Sequence, residues 1–348
     1  MEENKDLLNN EPVEIEDGEK PLDKNVKLMS PGRMVARRFF RSKLSIVGLV
    51  MLIALFVFCW LGPVVYHRWE QTVPDREGAL KYEEYKLDIK DGNDTYTVYQ
   101  IIETEVAVNT FAPSSWKHIF GTDESGFDVL TRLMYGGRVS LSIAFIAVFA
   151  ILIIGVIFGG IAGYFGGKVD ELIMRICDVL MCLPGMPILL ILGSVLDGME
   201  VPGQDRIYFL MLFLTIFSWS GTARMVRGQI LFLREQEYMV AAEAMGFSTA
   251  RKIFKHLVPN VLPQLIVGMT LSLGSMILYE ASLSYLGLGT QPPFASWGNM
   301  INAANNEDVL KNYFNIWGPP GICIIIAVLG FNFVGDGLRD ALDPKMRR

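Results

Sequence analysis

Histidine is scarce in this sequence: His67, His118 and His256 are the only three in 348 residues, and no two stand at ligand spacing. An imidazole-based metal centre is therefore not expected, and neither is histidine-dependent catalysis. Cysteine is scarce as well. Cys59, Cys177, Cys182 and Cys323 all fall in apolar stretches, which argues against a disulfide framework. Cys177 and Cys182, five apart on one helix with no histidine nearby, fit apolar packing better than a metal pair. HExxH and GxSxG patterns are missing. So is a phosphate-cradling GxxxxGK[ST] loop: the nearest approach, AGYFGGKV, has Ala162 where the first glycine belongs and Val169 where the hydroxyl belongs. The chain is expected to be no enzyme, to bind no cofactor and no metal of its own, and to meet no nucleic acid.

Charge is what the longest stretches lack most. With 51% hydrophobic residues, 33 glycines and a mean hydropathy of +0.33, the composition is that of a membrane protein. About 20 mostly apolar residues suffice for a crossing helix, and six spans are expected: Leu44–Tyr66, Val139–Gly163, Leu172–Leu196, Ile207–Ala223, Val261–Leu283 and Trp317–Gly335. Lys and Arg in short loops are retained on the cytoplasmic side. They cluster before the first span (Arg33, Arg37, Arg38, Arg41, Lys43), between the fourth and fifth (Arg224, Arg227, Arg234, Arg251, Lys252, Lys255) and at the chain end, whereas the opposite short connections hold only Arg206 and Lys311. Both termini are expected inside.

The net charge of −6 is local. Residues 1–20 carry eight Asp/Glu against Lys5 and Lys20, the same net value as the whole chain. Residues 1–30 are expected to be a disordered acidic cytoplasmic tail, with a docking segment as the other reading. It is not a signal peptide: its start is acidic, the apolar run begins only at Leu44, and no small-residue cleavage site follows, so the first span, within 31–66, should stay attached. His67 to Arg138 forms an outer segment with 13 acidic and eight basic residues. In it, YKLDIKDGNDTYTVYQ alternates on both sides of Asp91-Gly92-Asn93-Asp94, predicting a small hairpin within a 67–118 insert. Thr122 or Asp123 can then cap a helix whose Phe127, Leu130, Leu133 and Met134 share one side, suited to lie along the membrane surface.

Four further features carry meaning. Gly155, Gly159, Gly163 and Gly167 repeat every fourth residue, a face for close helix packing, either within the chain or against a second membrane subunit. Glu280 and Asp178 are charges inside spans and therefore pathway candidates. Glu280 either meets a cationic amine in a cavity or makes an interhelical hydrogen bond; Asp178, near Arg175, suits a structural pair. Between the fourth and fifth spans, EYMVAAEAMGFSTARKIFKHLVPN places Tyr238, Ala241, Ala242 and Met245 at i, i+3, i+4, i+7. Gly246 can stop that helix and Ser248 can start a second, with Ile253, Phe254 and Leu257 facing protein or membrane and Arg251, Lys252, Lys255 and His256 facing water or headgroups. Pro259 and Pro263 then mark re-entry into the bilayer. Such a small-residue foot suits a groove on another protein, or it is a plain amphipathic surface helix.

The run AAEAMG, its glycine and HLVPN resemble the coupling-loop signature of ABC-importer membrane subunits. FGTDESGFDVLTRLMYGGRVSLS, GGKVDELIMRICDVLMCLPGMPI and EASLSYLGLGTQPPFASWGNMI resemble the C-type permease subunit of oligopeptide, dipeptide and nickel importers. Val240 stands where the signature has glutamate, and Phe127 where the family usually has arginine. The resemblance implies an all-α membrane protein of the type I ABC-importer permease fold with a small extracellular β-containing insert, a core over 119–344 and coupling helices at about 237–257. It implies a plasma-membrane subunit that forms half the pathway for peptides. Its partners would be a homologous second permease, two cytoplasmic ATPases that use ATP and Mg, an extracellular solute-binding protein and the surrounding lipid. Tyr238, Ala241, Ala242, Glu243, Gly246, Arg251, His256 and Pro259 would contact the ATPase. A dipeptide or nickel permease, a secondary transporter and a membrane scaffold remain the competing readings; the lack of a His/Cys/Met ligand set in the spans favours peptide over nickel.

Overall fold

The computed structural model describes residues 31–342 except 77–79, 92–93, 107 and 204. The expected acidic tail over 1–30, the Gly92-Asn93 centre of the expected turn and the last basic residues, Lys345, Arg347 and Arg348, lie outside the described residues.

A short basic helix, α1 (Pro31–Phe39), precedes α2 (Lys43–Val65), whose start is capped by the Ser42 hydroxyl accepting from the Ser45 N–H. Strands β1 (Leu80–Asp91) and β2 (Asp94–Val106) pair antiparallel, from Leu80 opposite Val106 to Asp91 opposite Asp94, with an irregularity at Lys81/Tyr82. The helices α3 (Val129–Phe165), α4 (Gly167–Cys182), α5 (Gly185–Gly198), α6 (Arg206–Arg234) and α7 (Glu237–Ala244) follow. Then α8 (Thr249–Arg251), a π-helical turn (Lys252–Leu257) and α9 (Val258–Tyr285) form one continuous helix of 37 residues. Two short helices, α10 (Trp297–Asn302) and α11 (Glu307–Asn312), lead to α12 (Phe314–Leu342).

Among the described residues, five helices are long and apolar enough to cross a membrane: Lys43–Val65, Val129–Phe165, Arg206–Arg234, Thr249–Tyr285 and Phe314–Leu342. A sixth span exists if α4 and α5 count as one, and they are bent by 76°. The straight third span expected over Leu172–Leu196 is thus broken. Pro184 has no N–H to donate and forces the preceding residue out of the helical region; Leu183 sits at φ −76, ψ 129. The separate surface helix expected around Phe127–Met134 does not form either. Asp128, not Thr122 or Asp123, is the N-cap: its carboxylate accepts from the Thr131 N–H at 2.8 Å and the Thr131 hydroxyl at 2.7 Å. From Val129 onward α3 runs unbroken, and Phe127, Leu133 and Met134 are buried in protein.

α3 lies along α6, and the expected glycine stripe makes that contact. A Cβ on Gly159 would stand 2.3 Å from the Ala223 carbonyl oxygen, one on Gly155 2.6 Å from Thr222 and one on Gly163 2.9 Å from the Arg227 carbonyl oxygen. The stripe is therefore filled within this chain rather than by a second subunit. Gly167 does not belong to it; it opens α4 at φ +55 with empty space around it. α2 packs on α12 in the same manner, where Gly48 meets Phe333 and Gly330 meets Leu52. In lipid such contacts, not hydrophobicity, hold helices together. Gly159→Val should accordingly force α3 from α6 and destabilise the bundle by about 1–3 kcal/mol. Gly160→Val, whose added Cβ meets nothing nearer than 3.7 Å, serves as the control. Thermal unfolding in detergent checks this: Gly159→Val should melt well below Gly160→Val, and equal melting would mean the stripe is not the contact.

Candidate functional site

α6 runs past the apolar bundle and turns at Gln236 into α7, the first piece of the foot. Met239 and Ala242 point inward, 3% and 2% exposed, with Met239 in a cluster with Val226, Ile230, Leu257, Val261 and Leu265. This corrects the expected face. Tyr238, Ala241 and Met245 are exposed while Ala242 is not, and it is Met239, outside the expected row, that fills the space between α6 and the start of α9. The outward surface therefore carries Tyr238, Val240, Ala241 and Met245.

Gly246 closes α7 at φ +70, a region costly for any residue with a Cβ. Its N–H bonds the Glu243 carbonyl at 2.9 Å, and the Phe247 N–H bonds the Ala242 carbonyl at 3.1 Å, so the helix end is satisfied. The Ser248 hydroxyl caps the next turn by accepting from the Arg251 N–H. The second foot helix is not separate, as the sequence suggested, but the start of the continuous helix that includes α9. Pro259 does not interrupt it. A proline removes one helical bond and crowds the carbonyl four residues back; that carbonyl belongs to Lys255, inside the widened π turn, and Asn260 Nδ2 donates to the neighbouring His256 carbonyl at 2.6 Å. Two basic groups expected in water are also turned inward. Lys252 is 9% exposed, its Nζ over the Tyr164 ring at 5.6 Å, and the His256 ring stacks on Phe247 with Nε2 buried and unpaired. Arg251 remains outside, over the Phe247 ring at 4.1 Å.

Both in-span carboxylates have side-chain partners within this chain. Asp178 pairs with Arg224 of α6 at 2.5 Å, not with Arg175, which lies 3.9 Å from Glu171. About two turns earlier Asp170 accepts two bonds from Arg227, at 2.5 and 2.6 Å, so a pair of arginines fastens α4 to α6. Glu280 is fully buried; its two oxygens accept from Ser140 of α3 and Ser284, each at 2.8 Å. Its bond to Ser140 is the interhelical hydrogen bond of the second expected alternative.

One hollow in the bundle contains none of these charges. It is a cavity of about 410 Å³ between α3, α6 and α9, and Ser218, Thr222, Ser272, Ser275 and Tyr279 put hydroxyls on its wall. At the opposite end of the bundle a site the sequence did not reveal surrounds His118. Its Nδ1 lies 2.8 Å from Asp128 and its Nε2 3.1 Å from Asp75, while Trp69 stacks on the ring at 4.3 Å. These partners come from both sides of the hairpin, which is why no local spacing announced them. Nearby, burial raises the pKa of Asp123 and Arg132 opposes that shift.

Residues 155–348 match the family described as binding-protein-dependent transport system inner membrane component, and residues 30–80 match the N-terminal TM domain of oligopeptide transport permease C. The oligopeptide transport system permease protein OppC of Bacillus subtilis is 36% identical over 333 residues, covering 95% of this chain and 94% of that protein. The dipeptide transport system permease protein DppC of the same organism is 38% identical over 312 residues, covering 90% and 85%. A solved structure of the MetNI methionine ABC transporter aligns with 61% of this chain and 96% of its own, at 21% identity and a TM-score of 0.47. With a helical bundle of five or six spans, family matches over residues 30–80 and 155–348 and a relative 36% identical over 95% of the chain, the protein belongs to the family of binding-protein-dependent transport system inner membrane components, as a C-type peptide-permease member.

Proposed function

We propose that this permease carries oligopeptides inward as one half of a type I importer, driven by ATPases that dock on the foot. The observation that carries the reading is the foot's construction. α7 leaves Tyr238, Val240 and Met245 exposed, at 41%, 62% and 64%, on a piece held by buried Met239 and Ala242 and joined by the tight Gly246–Ser248 turn to the continuous helix that includes α9. An apolar surface on a short, fixed helix is what a groove on another protein accepts. Movement imposed there would pass along a helix that reaches the far end of the bundle. A secondary transporter would have no use for such a piece. The family's partners follow: a second permease, two ATPases using ATP and Mg, and an extracellular solute-binding protein that delivers the peptide. In this arrangement both termini and the foot are cytoplasmic, and the β1–β2 hairpin is outside.

Orientation is checked with an impermeant thiol reagent on intact cells. A cysteine at Asp88, exposed on β1, should be labelled from outside, and one at Ser248 only after the membrane is opened. Labelling of Ser248 on sealed cells would reverse the topology.

Coupling is checked on the purified chain with and without its ATPases. The chain alone should hydrolyse no ATP. Tyr238→Arg and Val240→Arg, both on the exposed face, should leave the bundle folded and cut peptide uptake at least about tenfold through loss of the ATPases. Ala242→Glu should act differently, destabilising the foot from within, since the new carboxylate would be buried. Normal uptake and normal ATPase retention in both arginine variants would make the foot an ordinary surface helix.

A further inference from the structure

Orientation by the arginines ahead of α2 requires only their number. The fold gives them an arrangement as well. Arg33, Arg37 and Arg41 recur every fourth residue along α1 and the turn after it, where the Phe40 N–H bonds the Ala36 carbonyl at 3.0 Å and the Arg41 N–H bonds the Arg38 carbonyl at 3.1 Å. All three are exposed. Residues four apart share one face, so the guanidinium groups form a stripe about 12 Å long at the usual rise. The opposite side of the helix is taken. Phe39 is 8% exposed and packs where α1 meets α12: a Cβ on Gly337 would stand 3.2 Å from its ring. With Phe39 anchored there, the stripe is held away from α12, and among the described residues no ion pair joins Arg33, Arg37 or Arg41 to Asp336 or Asp340 at that end of α12. Two further features say what meets the stripe. Met34 and Phe40, exposed at 43% and 57%, fall on its two edges at helical spacing, and an apolar rim beside arginine is the make-up of a helix lying in a membrane surface. Only Phe40–Ser42 separate α1 from α2, whose exposed Leu44, Val47 and Val50 begin the lipid-facing span, so α1 lies where hydrocarbon gives way to headgroups.

We propose that α1 and the turn after it bind the phosphodiester groups of anionic phospholipids in the leaflet they lie against. A guanidinium suits such a group, being planar, always charged and able to donate two parallel hydrogen bonds to phosphate oxygens. A zwitterionic headgroup offers the same phosphate but brings a quaternary ammonium with it, so the stripe selects net negative lipid. No Asp or Glu stands between Asp23 and Glu70 to neutralise it locally. The eight Asp/Glu of residues 1–20 match its charge too, but the place of the stripe beside lipid-facing Leu44 and Val47 favours the leaflet. Because Phe39 ties α1 to α12, lipid held there braces the end of α12 as well as the start of α2. None of this depends on what the protein carries.

The test uses the full chain in uncharged detergent, mixed with equal amounts of phosphatidylglycerol and phosphatidylcholine, and reads by native mass spectrometry which lipid stays bound. The wild-type chain should retain phosphatidylglycerol in preference. Arg33→Gln, Arg37→Gln and Arg41→Gln combined should lower its affinity for phosphatidylglycerol at least about tenfold, since each arginine near an anionic surface contributes roughly fivefold, and should leave phosphatidylcholine retention unchanged. Arg175→Gln, which removes an exposed arginine from α4, should keep the wild-type preference. Equal retention of the two lipids by the wild-type chain, or an undiminished preference in the triple variant, overturns the proposal. A second measurement leaves the arginines in place and so stands even if the triple variant fails to fold. With exposed Cys182 replaced by serine, Met34→Cys carries an environment-sensitive fluorophore. Its emission should shift to the blue in vesicles containing phosphatidylglycerol relative to vesicles of phosphatidylcholine alone, and shift back in about 1 M salt, where the Debye length falls to about 3 Å. Emission that ignores both lipid charge and salt sinks the proposal. Deleting residues 2–20 separates the lipid from the acidic tail: an unchanged preference keeps the lipid as occupant, and a preference that appears only after the deletion gives the stripe to the tail and overturns lipid binding in the full chain.

Discussion

The approach of α3 to α6 at Gly155, Gly159 and Gly163 is the constraint on which the bundle rests. Without side chains at those three positions, the α6 backbone around Ala223 comes within contact distance of α3. That fixes where everything else on α6 falls. Arg224 and Arg227, one turn apart on the same stretch, are thereby aimed at Asp178 and Asp170 and fasten α4. Exposed pairs such as Arg224–Asp178 are worth about 0–1 kcal/mol, so their role is alignment more than stability. The bidentate Arg227–Asp170 contact, with Asp170 at 15% exposure, is the stronger tether. Where α6 and α9 diverge beyond this contact, Gly221 and Gly268 leave the hollow between them open.

Glycine thus does two opposite things in one fold. On α3 it lets a neighbour in; on α6 and α9 it keeps space empty. Sequence spacing distinguishes these poorly. A four-residue repeat on a long apolar run signals close packing, and the structure supplies its partner, but single glycines such as Gly221 and Gly268 carry no pattern that says whether anything faces them.

The spans were legible because about 20 uncharged residues have few alternatives in a membrane protein, and five of the six expected positions coincide with continuous helices. The exception, at Leu183–Pro184, had its signal in plain view. Hydropathy simply does not register a bend when the residues on both sides stay apolar. The N-cap of α3 was misplaced by a few residues because Thr122, Asp123 and Asp128 are all chemically able to cap, and only tertiary bonds decide among them. Asp178 was matched with Arg175 because they are neighbours in sequence; its partner, Arg224, lies 46 residues away. The foot was legible in outline, with Gly246 at φ +70 and Ser248 capping, yet its orientation was not. Four small or apolar positions at helical spacing define a face, but spacing does not say which face meets the core, and here Met239, outside that row, fills it.

Continuity from Ser248 to Tyr285 is the consequence that matters for function. Had Pro259 ended the helix, the foot would hang on a flexible joint and motion at Tyr238 would dissipate before reaching the bundle. The π turn at Lys252–Leu257 absorbs the proline instead, and the helix it preserves is about 55 Å long at the usual rise. Its foot end packs against α7 and Tyr164, its middle lines the hollow through Ser272 and Tyr279, and its far end is pinned to α3 by the Glu280–Ser140 bond. A buried carboxylate with both oxygens bonded resists displacement, since parting it from either serine leaves a desolvated acceptor unsatisfied. The far end is therefore the more firmly held, and in the importer arrangement proposed above a push at the foot would act on the cavity-lining middle of α9 against that anchor.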